Sequence, residues 1–312
     1  MITHNVKLDG PGVKGTVVNA HLLRELLRII IDGSERALRV RTQGRSTARG
    51  ALPSWISTSS EFEVQIVEGS TLLQITAPTL IEADPIEFKQ PDLFPEIDPE
   101  LTSFDYFTES LDAVMDGGER SNLYDRGMLE LLYGFDSVFD RGVEEITFYS
   151  KGKSKVKKVH LSKKDLKDFT KLEEQIPNPQ QAKIAGILDQ IRHSDRTFAL
   201  QLPATKEPVK GITDPRHLED LQGLWGKSVL VSGTVHFTPT GSILRIEADQ
   251  IKSGSERDIM MWSVPPEPLK KPASAVSFRV PQGPRSGINA VIGRWPGDES
   301  DDQIKEVLET LS

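Results

Sequence analysis

The stretch "GKSVLVSGTVHFTPTGSILRIEADQI", residues 226–251, constrains the fold more than any other part of the chain. Val229, Val231, Val235 and Phe237 alternate with polar neighbours, the two-residue period of a strand with one buried face. Thr238-Pro239-Thr240-Gly241 has the composition of a turn, after which Leu244, Ile246 and Ala248 resume the alternation. Gly233 sits inside the first run, where a strand can coil sharply. A long antiparallel hairpin is expected, and such a hairpin needs further elements to cover its apolar face.

A glycine-kinked hairpin of this kind resembles the central strands of OB-type small barrels. Upstream, helical and hairpin patterns alternate. "NAHLLRELLRIIID" predicts a helix over 19–32, with Asn19 as N-cap, a Leu22, Leu23, Leu26, Leu27, Ile30 stripe and Gly33 as its stop. "ALRVR" reads as a short strand, and "EFEVQIVEGSTLLQITAP" as a hairpin turning at Glu68-Gly69-Ser70. Prolines at 78, 85, 91, 95 and 99 mark a loop. A second helix is predicted from Asp125 to Gly142, then a hairpin turning at Lys151-Gly152 with a bulge at Lys157-Lys158, then helices at 163–175, capped by Ser162, and 179–193. The expected fold class is therefore α+β, antiparallel hairpins with packed helices and a candidate duplication of the helix–strand–hairpin order. Modules are expected at 1–100 and 101–262, followed by a proline-rich linker and tail at 263–312. Ile-Glu-Ala-Asp occurs at 81–84 and again at 246–249, which we read as coincidence.

Composition excludes several chemistries. There is no cysteine, hence no disulfide, thiolate metal site or thiol nucleophile. The six histidines show no metal-ligand spacing, and neither metal nor cofactor is expected. The N-terminus lacks a signal pattern and no apolar run reaches the ~20 residues of a membrane span, so a cytoplasmic protein with no membrane partner is expected. "GPGVKG" at 10–15 matches a dinucleotide-loop pattern, but no helix N-terminus follows directly, so it reads as a glycine-rich loop. "GLWGKS" at 223–228 lacks the first glycine of a phosphate loop and precedes a strand. His236, facing Arg245, Glu247 and Asp249 across the hairpin, leaves an enzymatic reading open beside that of a solvated sheet face.

Two basic segments compete with the net charge of −8. Arg36, Arg39, Arg41, Arg45 and Arg49 form one; Lys153, Lys155, Lys157 and Lys158 lead the other. Both are candidates for phosphate contact with nucleic acid, and lysines on a hairpin also protect an exposed edge. Few aromatics interleave, which disfavours base stacking.

The last residues, "GRWPGDESDDQIKEVLETLS", obey helix rules in detail. Ser300 and Gln303 have capping-box spacing, Asp301 and Asp302 complement the helix dipole, and Ile304, Val307, Leu308 and Leu311 form one apolar stripe. A helix of ~12 residues is marginal alone in water, so the stripe needs a surface, either the protein's own body or another chain. The segment resembles the C-terminal tail of bacterial antitoxins that neutralise PIN-domain ribonuclease toxins. Gly293, Arg294, Trp295, Pro296, Gly297, Asp298, Glu299, Asp301, Asp302, Ile304 and Leu308 carry the resemblance, which covers only the last twenty residues. It implies a non-enzymatic inhibitor whose Trp295 anchors on the nuclease, whose Arg294 pairs with the nuclease's carboxylates, and whose Ile304, Val307, Leu308 and Leu311 stripe is buried on it. Antitoxins of that kind are shorter, which leaves residues 1–262 without an implied role.

Overall fold

The computed structural model describes residues 1–269 except 16, 49–51, 68–70, 87, 89–96, 118–120, 151–156, 193–195, 204–207 and 214–220. The chain divides into two units, 1–269 and 270–312. The tail and its candidate partner-binding residues therefore lie outside the described residues, as do Arg49, Lys153 and Lys155.

The elements run β1 (Ile2–Asp9), α1 (Ala20–Gln43), α2 (Ser54–Ser59), β2 (Glu63–Ile66), β3 (Leu72–Ala77), α3 (Leu80–Ala83), α4 (Ser103–Met115), α5 (Arg126–Leu132), α6 (Phe135–Phe139), β4 (Glu145–Ser150), β5 (Lys157–Ser162) and α7 (Leu166–Gln175). Five strands then follow, β6 (Gln180–Arg192), β7 (Thr197–Gln201), β8 (Val209–Thr213), β9 (Ser228–Phe237) and β10 (Ile243–Ser253), before α8 (Glu256–Trp262). The architecture is α+β.

The first sheet has the order β2-β3-β1-β4-β5, with every neighbour antiparallel. β1 is its centre, and His4, Val6 and Leu8 face the core from alternate positions. Helices cover that face: Leu22, Leu26, Ile29 and Ile30 of α1 join Phe104 and Phe107 of α4, Phe135 of α6 and Phe148 of β4 in one apolar cluster. Because β1 pairs with both β3 and β4, the sheet runs across residue 100. Apolar clustering separates residues 6–176 from residues 184–248, so the break in packing falls near 177.

The second group is a closed barrel of order β10-β8-β7-β6-β9. Among the described residues, only β8 and β10 of these strands pair in parallel. Counted from β6, this is the 1-2-3-5-4-1 closure of an OB-type barrel. The expected hairpin is its β9–β10 unit, with Val229, Val231, Val235, Phe237, Ile246 and Ala248 in the barrel core. Gly233 is required there: a Cβ would stand 2.1 Å from the Glu247 carbonyl oxygen.

Several expectations are corrected. "ALRVR" is the last part of α1 and not a strand. Gly33 does not stop that helix; it admits the Phe107 ring, which a Cβ would meet at 2.5 Å. The true stop is Gly44, at φ 66, whose N–H donates to the Val40 carbonyl at 2.8 Å. Gln180–Arg192, within the helix expected at 179–193, form β6 and not a helix. Their Ile184, Leu188, Ile191 spacing imitates a helical stripe because a register shift at Leu188/Gln190 interrupts the alternation. The single helix expected from Asp125 to Gly142 is α5 and α6, broken at Gly134. Asp125 caps it as expected, accepting from the Met128 N–H. Lys157 and Lys158 pair in unbroken register with Ser150 and Tyr149, without a bulge. Ile-Glu-Ala-Asp is helical at 81–83 and extended at 246–249, which supports the reading of coincidence.

Candidate functional site

The sheet and barrel groups meet where α1 ends. A helix leaves its last carbonyls without intrahelical donors, at the negative end of its dipole. Two barrel cations answer this. Lys210 of β8 donates from Nζ to the Arg41 carbonyl at 2.7 Å, and Arg245 of β10 donates to the Gly44 carbonyl at 2.8 Å. The approach is close enough that a Cβ on Gly44 would lie 2.8 Å from the Leu244 carbonyl oxygen.

Arg245 is also the centre of a polar trio fixed by the β9–β10 register, which places it opposite His236. Its guanidinium donates to Glu247 Oε1 from Nε at 3.1 Å and approaches it from a second nitrogen at 3.0 Å. That second nitrogen also donates to His236 Nδ1 at 3.1 Å, so Nδ1 is the acceptor of the ring. His236 Nε2 stands 3.4 Å from Glu247 Oε1, within ion-pair range but without hydrogen-bond alignment. His236 and then Arg245 hold the Glu247 carboxyl down at about 2, against a partial burial that pushes it up. The sequence had brought His236, Arg245 and Glu247 together, and the structure does the same. Both ring nitrogens of His236 face a partner, so the trio has the form of a polar lock across the hairpin.

The arginine segment is dispersed. Arg36 donates to the Gly127 carbonyl. Arg41 is buried, donating to Glu109 at 2.8 Å and to Ser110 and the Ala37 carbonyl at 3.0 Å, with its guanidinium 4.8 Å from the Tyr106 ring centre. It ties α1 to α4, and no face remains for a ligand. Arg39 is buried as well. Arg45, just past the helix, is half-buried, and its Nε has no hydrogen-bond partner among the described residues. Burial first, then Arg245, Arg39 and Arg196, hold its guanidinium below the usual arginine range; Glu247 acts in the opposite direction. Arg196, whose charge acts on Arg45, is a residue that sequence spacing did not single out.

Of the lysine segment, the described Lys157 and Lys158 open β5, an edge of the first sheet. Lys157 pairs with Asp112 at 2.6 Å, and the Lys158 ammonium stands 5.6 Å from the Tyr149 ring centre. This is edge protection combined with helix attachment.

A buried polar cluster escaped the sequence reading. Thr102 donates to Asp105 Oδ2 at 2.7 Å and lies 2.9 Å from His4 Nε2, while Ser150 donates to Asp105 Oδ1. His4, Thr102, Asp105 and Ser150 are all buried, and Thr102–Asp105 forms the capping box of α4. His–Asp–Ser composition suggests a triad, but the serine bonds to the carboxylate and not to the imidazole. The cluster joins β1, α4 and β4.

The 10–15 glycine loop also has a packing role. Gly12 donates to the Gly142 carbonyl at 2.8 Å, and a Cβ on Gly12 would fall 2.1 Å from the Arg141 carbonyl oxygen. Among the described residues, no group of three or more His, Asp or Glu is placed to hold a metal, and no helix is long and apolar enough to cross a membrane. Comparison with family models, curated proteins and solved structures gives no match.

Proposed function

We propose that this chain is an antitoxin-like inhibitor that binds and neutralises a PIN-type ribonuclease through its C-terminal segment. The observation that carries the reading is the order of residues 293–312: Arg294-Trp295-Pro296-Gly297-Asp298-Glu299, then a capped helix with the Ile304, Val307, Leu308, Leu311 stripe. The division of the chain into units 1–269 and 270–312 assigns this segment to the second unit. A PIN active site is a ring of carboxylates around a divalent metal. Arg294 occupies that ring as a counter-charge, Trp295 fills an adjacent apolar recess, and the helix stripe covers the rim. The inhibitor acts in the cytoplasm, where such a nuclease meets RNA.

The test is RNA cleavage by a PIN-type ribonuclease encoded beside this chain, titrated with wild type and with Trp295→Ala. Loss of an aromatic anchor costs ~2–4 kcal/mol, so the variant needs about thirtyfold or more protein for equal inhibition. Equal potency of the two proteins would defeat the reading.

A second reading, nucleic-acid binding by the body, is favoured by the strand order of the barrel, whose loops in OB-type proteins bind oligonucleotides. The positions that alternate away from the barrel core across β7 and β8 pair Thr197 with Ile212 and Ala199 with Lys210, without an aromatic platform. Contact with phosphates is therefore better supported than base stacking, and it predicts affinity that falls steeply with salt.

A further inference from the structure

We infer that the open face of the first sheet binds an uncharged oligosaccharide, read by a row of side chains that crosses all five strands. An antiparallel sheet can leave one face to solvent, and α1, α4 and α6 pack on the other face of this one. β1 turns His4, Val6 and Leu8 towards those helices and Thr3, Asn5 and Lys7 away from them. The register extends this outward set across the sheet. Gln65 of β2 stands opposite Gln74 of β3, and Gln74 opposite Asn5. Asn5 in turn stands opposite Tyr149 of β4, and Tyr149 opposite Lys158 of β5. Neighbouring strands lie ~4.8 Å apart, so the row is continuous over ~20 Å. Its amides do not satisfy one another. Asn5 Oδ1 is covered by its neighbours yet receives no hydrogen bond, and the Gln65 and Gln74 side chains make none among the described residues.

Charge selects the ligand class. On this face Lys7 pairs with Asp9 at 2.8 Å and His160 with Glu145 at 2.6 Å, so these groups answer one another. Lys158 on β5 and Glu63 on β2 remain, one of each sign at opposite edges of the sheet. A nucleic acid needs several cations for its phosphates and would meet one here. An extended peptide adds to a sheet through main-chain hydrogen bonds at an edge, which a face does not offer. An oligosaccharide is uncharged, and its hydroxyls both donate and accept. Each amide of the row does the same, and the Tyr149 ring gives an apolar surface for the C–H face of a sugar, with a hydroxyl at its rim. The Lys158 ammonium, 5.6 Å from that ring's centre, ends the row with a donor. The inference is independent of the inhibitor reading, since neither its residues nor its readout involve the tail or a nuclease.

The experiment uses the full chain. Isothermal titration calorimetry is run with maltohexaose, cellohexaose, laminarihexaose and chitohexaose, and with a single-stranded hexaribonucleotide as the charged comparison. Gln74→Leu and Tyr149→Leu are compared with Gln222→Leu, a control that removes an exposed amide on the barrel side of the chain. Wild type is expected to bind at least one of the hexasaccharides and not the RNA. The affinity should fall about tenfold in each of the two row variants and stay unchanged in the control. Gln65→Ala, at an exposed position of the edge strand, covers the case in which the inner-strand variants do not fold; a several-fold loss is expected. No binding of any hexasaccharide by wild type would overturn the inference. So would RNA bound more tightly than the sugars and weakened by the row variants, or sugar binding unchanged in Gln74→Leu, Tyr149→Leu and Gln65→Ala.

Discussion

Gly33→Ala separates a glycine that ends a helix from one that admits a neighbour. In an exposed helix interior the exchange stabilises by ~1 kcal/mol, because alanine has the better propensity. In this chain the new methyl would lie 2.5 Å from Phe107 Cδ2 and Cε2. That ring is fully buried, 5.8 Å from Phe148 and 6.3 Å from Phe104 between ring centres, so it has little room to retreat. Overpacking of a closed core costs ~1–3 kcal/mol, which exceeds the propensity gain. The expected net effect is a destabilisation of ~1–2 kcal/mol, read in urea as a lower midpoint at unchanged slope. Gly33→Ala combined with Phe107→Leu should show a coupling that offsets part of the clash. A Gly33→Ala protein more stable than wild type would refute the packing of α1 on α4.

The Glu247 lock sets an acid response. Its folded pKa, about 2, lies below the ordinary 4.5, so its contribution is complete above pH 4.5 and is lost as the pH falls through 2. The carboxylate is 42% exposed and solvent screens it, so the loss is ~1 kcal/mol or less. Glu247→Gln should flatten the stability–pH curve between these values, and an unchanged curve would count against the lock. Asp105→Ala removes the acceptor shared by Thr102 and Ser150 and the N3 half of the α4 capping box, with an expected cost of ~3 kcal/mol in denaturant unfolding. A loss below ~0.5 kcal/mol, the level of an ordinary surface substitution, would show the cluster to be dispensable.

What could be read in the sequence was what local rules determine. The β9–β10 hairpin, the Asn19 and Asp125 caps and the β2–β3 and β4–β5 pairings follow from alternation and side-chain acceptors. What could not be read depends on long-range packing. β1 is the central strand, yet its inner face carries His4 beside Val6 and Leu8, so its apolar signal is weak until Thr102 and Asp105 arrive to satisfy the imidazole. β6 looked helical because its register shift breaks the period, and Gly186 there is required by Leu202 and the Gln201 carbonyl, visible only once β7 is in place. The polar trio was legible because its members sit on one hairpin. The action of the Arg196 charge on Arg45 was not, because 151 residues separate the two.

The most direct test of the inhibitor account is retention of a PIN-type ribonuclease, encoded beside this chain, on immobilised full-length protein and on a 1–288 truncation. The truncation keeps every member of both apolar clusters among the described residues. The account predicts that the full chain retains the nuclease and the truncation loses it. Equal retention by both would contradict the account.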